Sequence, residues 1–241
     1  MRSRWAAGST LVTGAGVGVL AAEAVVAKMC ENQPTPERVR VDALGSVGMR
    51  AGTMGSAFAA SVVDTMSMGG RAYANGRLVT VRLGADAQHL TLPDAETVKS
   101  AGAPTGELMA AQWVSGAGSV TLTTALAPTS AIARAILPPA GNLLSIPAVQ
   151  RLAVRRVAAV KTKATPEPCR HSWVHAVVMW PDDTRRGGWL RADDGMDYAA
   201  AVAAETAARL ARGQGKPGAY TPAAALGPDL AGAAGGTFIL G

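Results

Sequence analysis

The residues most suited to chemistry lie near the start of the chain. A glycine run, Thr13-Gly14-Ala15-Gly16-Val17-Gly18, stands between a strand-like stretch at residues 9–13 and a helical one at 20–29. In a strand–glycine turn–helix arrangement, the helix N-terminus offers free N–H groups to anionic oxygens, and glycines let the backbone approach a pyrophosphate. Gly14, Gly16 and Gly18 are therefore the candidate cofactor-binding residues. Asp42, at the end of the next expected strand, stands where an acid binding a ribose hydroxyl would be. The spacing departs from G-x-G-x-x-G, because Val19 occupies the third glycine position. The segments downstream read as a hairpin and not as further βαβ units, so they do not build a complete dinucleotide domain.

Other constellations are weaker. Cys169, His171 and His175 form a Cys-x-His-x-x-x-His string. On a strand the two histidines share a face, but they stand far apart along it and no fourth ligand is evident, so no metal site is expected. Asp64 and Glu107 are isolated carboxylates on expected helices. Tyr73 and Tyr198 lack a lysine four residues on, since Arg77 and Val202 stand there. The Tyr-x-x-x-Lys route to acid catalysis is thus absent, as is a G-x-S-x-G nucleophile elbow. Trp173, Trp180 and Trp189 can line a pocket or fill a core. No catalytic residue is assigned.

The elements that must position these residues are legible in part. Residues 38–44 alternate as a strand, and 54–68 form a helix with Phe58, Val62 and Met66 on one face. Residues 71–83 form a hairpin turning at Asn75-Gly76, a pair that tolerates positive φ. Further strands are expected at 88–92, 119–125, 172–180 and 188–192, with a turn at 182–188. Helices are expected at 106–114, across 130–160 with breaks at Pro138-Pro139 and Pro147, and at 198–212. In the second of these, Val149, Ala153, Val157 and Val160 share one face while Arg151 and Arg155 share another. Asp193 and Asp194 precede the last helix and Gly213 comes after it. Thr221-Pro222 then starts a short helix, with threonine as cap and proline in the first turn.

Composition bounds the class. The chain has 241 residues, is 49% hydrophobic and 17% charged, and carries a formal charge of +6. That is a globular composition, with a core of Ala, Val and Leu packing helices on sheet. Ten Lys or Arg stand against three acids between Arg134 and Arg191, which reads as a solvated face or one turned to an anionic ligand. No basic run interleaves with aromatics, so nucleic acid is not an expected partner. Arg2 and Arg4 precede an apolar stretch at 11–27, but Glu23 interrupts it and it is too short to span a membrane. Two unpaired, distant cysteines point to a cytoplasmic protein.

The order of several segments resembles saccharopine dehydrogenase-like oxidoreductases. These are TLVTGAGVGVLAAEAVVAKM, residues 52–61, MGGRAYANGRLVTVRLG, and the closing GMDYAAAVAAETAARLARGQGKPGAYTPAAALG. Together they cover nearly the whole chain. The resemblance implies a strand ending a nucleotide-binding domain, a glycine turn, and then a helix of the substrate or dimer domain. It implies hydride transfer with NAD or NADP at a cleft near Gly14, Gly16 and Gly18. It also implies that most of the nucleotide-binding domain is missing, so that either nucleotide binds this chain weakly or not at all. The expected fold is α/β (α+β), a mixed sheet with packed helices and a Rossmann-type remnant at the N-terminus. Residues 1–45 form the remnant and glycine turn, 46–195 the mixed substrate or dimerisation domain, and 196–241 a helical segment. A homodimer and an unidentified small-molecule substrate are the expected partners. The alternatives are a non-catalytic remnant or interaction module, and an unusual Rossmann-fold dinucleotide-binding protein.

Overall fold

The computed structural model describes residues 8–48, 51–127, 141 and 143–241. Arg2, Arg4 and the expected helix break at Pro138-Pro139 lie outside them. The fold is mixed α/β. Its main sheet has nine strands, joining β2 (Arg38–Leu44), β4 (Gly70–Ala74), β5 (Arg77–Val81), β6 (Gln88–Thr91), β7 (Thr97–Gly102), β8 (Ser119–Thr124), β10 (Ser172–Met179), β11 (Arg185–Ala192) and β13 (Thr237–Leu240). The order is β13-β11-β10-β2-β8-β4-β5, and β2–β8 is a parallel pair among antiparallel ones. At β8 the sheet forks: Val120 pairs with Tyr73 of β4, while Thr123 and Thr124 pair with Gly102 and Ala101 of β7. Strands from all three expected segments thus share one sheet.

Helix α1 (Val17–Cys30) is the centre of the core. Apolar residues run all round it, and Leu20, Ala21, Ala22, Ala24, Val25, Val26 and Met29 are buried, as expected of a helix enclosed on every side. Its alanines allow close approach to β10 and β11 and to α3 (Gly106–Ser115). The apolar stretch with a leader-like look is therefore the hub of the domain. Among the described residues no helix is long and apolar enough to cross a membrane.

Glu23 sits in the middle of α1, fully buried. Its carboxylate accepts from the Ala223 and Ala224 N–H groups at 2.9 and 3.0 Å, and from the Thr221 hydroxyl. These donors start α6 (Pro222–Leu226), which comes after α5 (Gly195–Ala211). The short helix is thus capped by Glu23 from across the core, and not by Thr221 as the sequence predicts. The Thr221 hydroxyl is already committed to Glu23. Helix α5 starts and stops as expected: Asp194 accepts from the Met196 and Asp197 N–H groups, and Gly213 has φ +74°.

The hairpin β4–β5 turns at Asn75 (φ 52°) and Gly76 (φ 72°), the double positive-φ turn that this pair favours. Other expectations need correction. The turn expected at 182–188 is shorter, because β11 already begins at Arg185. On α2 (Ser56–Met68) the buried residues are Ala59 and Val63, while Phe58 is exposed. The partner of α2 is α4 (Pro147–Ala158), which buries none of its residues. A two-residue ladder, β3 (Gly52–Thr53) with β9 (Lys161–Thr162), joins the same region. Finally, β1 (Thr10–Val12) pairs in parallel only with β12 (Gly218–Tyr220), outside the main sheet. Strands β1 and β2 lie in different sheets, so β1–α1–β2 is not a βαβ unit.

Candidate functional site

The glycine turn lies between β1 and α1. Gly14 takes φ +72°, a left-handed angle that favours glycine. The Gly16 N–H donates to the Gly14 carbonyl at 2.7 Å, and Gly16 caps α1 with no side-chain partner. Gly18 is needed for another reason. A Cβ there would stand 1.8 Å from Oε1 of Glu107, in the first turn of α3. Val19, at the position of the missing third glycine, packs its side chain 3.0–3.2 Å from where a Cβ of Gly14 would be. Packing therefore accounts for this spacing. A carboxylate held beside the start of α1 also opposes a pyrophosphate, because both are anionic at the same helix end. The turn does not fit as a pyrophosphate cradle.

Beside the turn is a mostly apolar cavity of ≈ 80 Å³, lined by Val17, Gly18, Leu44, Trp173, Leu190 and Glu107 among others. Trp173 is 3% exposed, and its Nε1 has no hydrogen-bond partner among the described residues. Thr105 Oγ1, at the start of α3, is likewise unpartnered. Buried donors are rarely left unpaired. An unpaired indole N–H in the wall of an apolar cavity points to an acceptor brought by a ligand or a water.

A second constellation forms on the sheet face turned away from α1. Asp42 does not reach toward a ribose: it is fully buried. Its Oδ1 accepts from Arg40 Nε at 3.0 Å, Gln88 Nε2 at 2.8 Å and Thr123 Oγ1 at 2.7 Å, and its Oδ2 lies 3.0 Å from His175 Nδ1. The Thr123 and Ser100 hydroxyls are 2.9 Å apart. Burial pushes the Asp42 carboxyl up, but the hydrogen bonds from His175 and Thr123 and the charge of Arg40 outweigh it. The result lies below the ordinary carboxylate value. The His175 ring stacks on Trp189 at 4.0 Å and 22°, and Trp189 meets Trp173 edge-on. Four strands and a hairpin supply this cluster through the pleat alone, since Asp42, His175 and Trp189 are direct cross-strand partners.

The Cys-x-His-x-x-x-His string is dispersed. His171 pairs with Asp193 at 3.1 Å, His175 with Asp42, and the Cys169 backbone with Ser46. Trp180 lies at the other end of β10, its Nε1 donating to the Pro34 carbonyl. Asp64 accepts from Gln150 of α4. The Asp42–His175 pair was missed because its residues are 133 apart in sequence. The available signal was an acid and a histidine each inside an otherwise apolar strand, where a charged group needs a partner. The chain matches no model of a known protein family and no curated protein.

Proposed function

We propose that this chain supplies the substrate-side part of an NAD(P)-dependent oxidoreductase of the saccharopine dehydrogenase-like kind. The observation that carries the reading is the cavity at the start of α1, which joins an apolar lining to one carboxylate, Glu107, and one unpaired buried donor, Trp173 Nε1. A carboxamide carries the complementary acceptor and donors, and a nicotinamide ring adds an apolar face. At ≈ 80 Å³ the space takes one end of a ligand, well below the several hundred Å³, roughly 300 or more, of a whole-ligand pocket. A bound nicotinamide would supply or accept the hydride. Glu107 accepts from the amide nitrogen, Trp173 donates to its oxygen, and Val17, Leu44 and Leu190 keep water from the ring. The dinucleotide phosphates belong on a βαβ unit outside these elements, because Glu107 opposes them at α1.

The test is a titration of the chain with free nicotinamide and with nicotinate, following the Trp173 indole N–H resonance. Nicotinamide is expected to bind in the millimolar range, about 4 kcal/mol, and nicotinate to bind more weakly through repulsion by Glu107. Equal binding of the two, or none, would overturn the reading. So would micromolar binding of NAD or NADP lost on Gly16→Val, which would restore the turn as a pyrophosphate cradle.

A second reading, an interaction module without catalysis, rests on a separate observation. Helices α2 and α4 leave Phe58 and Leu152 exposed next to Arg151, Arg155 and Arg156. Concentration-dependent self-association lost on Phe58→Ser and Leu152→Ser would favour it.

A further inference from the structure

Nicotinamide binding at the α1 cavity leaves His175 unused, and the surroundings of this histidine are built for a ligand of another kind. The imidazole is fixed twice, by Asp42 at Nδ1 and by Trp189 against its ring. Its Nε2 has no hydrogen-bond partner among the described residues. That atom faces Gly187, and a Cβ there would stand 3.9 Å from it. Gly187 lies beside Gly241, whose N–H donates to the Gly187 carbonyl at 3.1 Å. Two adjacent strand positions thus carry no side chain, leaving a shallow slot on an open face.

The alternation of β11 places Arg185, Gly187, Trp189 and Arg191 on this same face. Arg185 is one side-chain position from the slot, about 7 Å along the strand, and Arg191 is one position beyond Trp189. Neither arginine forms an ion pair among the described residues. The one carboxylate of the cluster, Asp42, is fully buried and committed to four donors, so it leaves no negative charge exposed at the slot.

We propose that the slot above Gly187 binds a small oxyanion, a carboxylate or a phosphate group of a ligand, with His175 Nε2–H as its fixed donor and Arg185 as its flanking cation. Asp42 is the positioning residue, since its bond at Nδ1 leaves Nε2 to face the ligand. The site touches the nicotinamide reading only through the Trp173–Trp189 contact, and it stands or falls separately.

The experiment uses the whole chain with labelled imidazoles, which is simple because there are three histidines. Inorganic phosphate is titrated at constant ionic strength, and acetate is then added as competitor. The His175 ring resonances are expected to move saturably, while those of His89 and His171 stay. Gly187→Val should weaken phosphate binding about ten-fold or more, an affinity change of about 1.4 kcal/mol. It should fold normally, because a β-branched residue suits a strand position on an open face. Competition by acetate would identify a carboxylate-type site. Its failure, with phosphate binding retained, would identify a phosphate-type site, and either result supports the proposal. Equal movement of all three histidines would reveal only general attraction to a basic protein and would overturn it. So would a still His175, or unchanged binding in a folded Gly187→Val.

Discussion

Glu23 is the side chain on which the C-terminal segment most depends, and replacing it gives a sharp test of the fold. It is fully buried and receives three hydrogen bonds, from Thr221, Ala223 and Ala224. In Glu23→Leu the two backbone N–H groups lose their acceptor inside the core. A buried donor left unpaired costs about 1–3 kcal/mol, so the loss is about 2–6 kcal/mol, a large share of the roughly 5–15 kcal/mol of a typical domain. In Glu23→Gln one oxygen remains, and the new NH2 group faces an N–H donor, so the loss is about 1–3 kcal/mol. Burial raises the Glu23 carboxyl above its ordinary value of 4.5, and the three hydrogen bonds offset only part of that rise. A raised folded value means that the native state binds more protons than the unfolded chain between 4.5 and that value. The stability contribution of Glu23 is then full below pH 4.5 and declines as pH rises through the folded value. Urea unfolding of both variants and wild type across that window is the assay. The deficit of Glu23→Gln should be larger at acid pH and smaller near neutrality, and exchange at Ala223 and Ala224 should accelerate first. A Glu23→Leu variant within about 0.5 kcal/mol of wild type, inside the range of ordinary surface changes, would refute the reasoning.

Three further outcomes are expected. Asp42→Ala should cost about 3–5 kcal/mol, because it strands Arg40 and three other donors around a buried site; chemical denaturation measures it. The Asp42 carboxyl is held below 3.8, so in the wild-type protein its contribution is full above that value and lost as pH falls through the folded one, a slope that Asp42→Asn should remove. Gly18→Ala should stay within about 1 kcal/mol of wild-type stability, the helix-propensity difference, by turning Glu107 aside, yet lose nicotinamide binding. Of the two free thiols, Cys30 is pushed up to about 11 by burial. Ellman's reagent at pH 8 should therefore label Cys169 first and reach Cys30 only on unfolding.

Local signals were legible wherever a residue type answers to its own backbone. Asn75-Gly76 gave its turn, Asp194 its cap, and residues 38–44 their strand to the residue. Long-range relations were not legible. No pattern near Glu23 announces that its carboxylate serves a helix about 200 residues on, and β7 and β13 were overlooked because their registers depend on neighbours already in place. The face of α2 was misjudged for a related reason. Phe58, Val62 and Met66 share a helical face, but the element that packs on α2 is the slim helix α4, which reaches Ala59 and Val63 instead.

The glycine run shows the same limit at the site itself. Glycine spacing in a strand–turn–helix segment records that something approaches the backbone closely, and the usual inference is a phosphate. Here Gly14 answers to a left-handed angle and the Val19 side chain, and Gly18 to a carboxylate arriving from α3. The charge at the helix start is thereby opposite to what an anion cradle requires, while the same Glu107 becomes an acceptor at the mouth of an apolar cavity. Removing Glu107 separates the two uses. Glu107→Gln keeps the packing against Gly18 and takes away the charge, so nicotinate should then bind about as well as nicotinamide. If nicotinate stays excluded in that variant, the selectivity belongs to the cavity's shape and the role given to Glu107 is wrong.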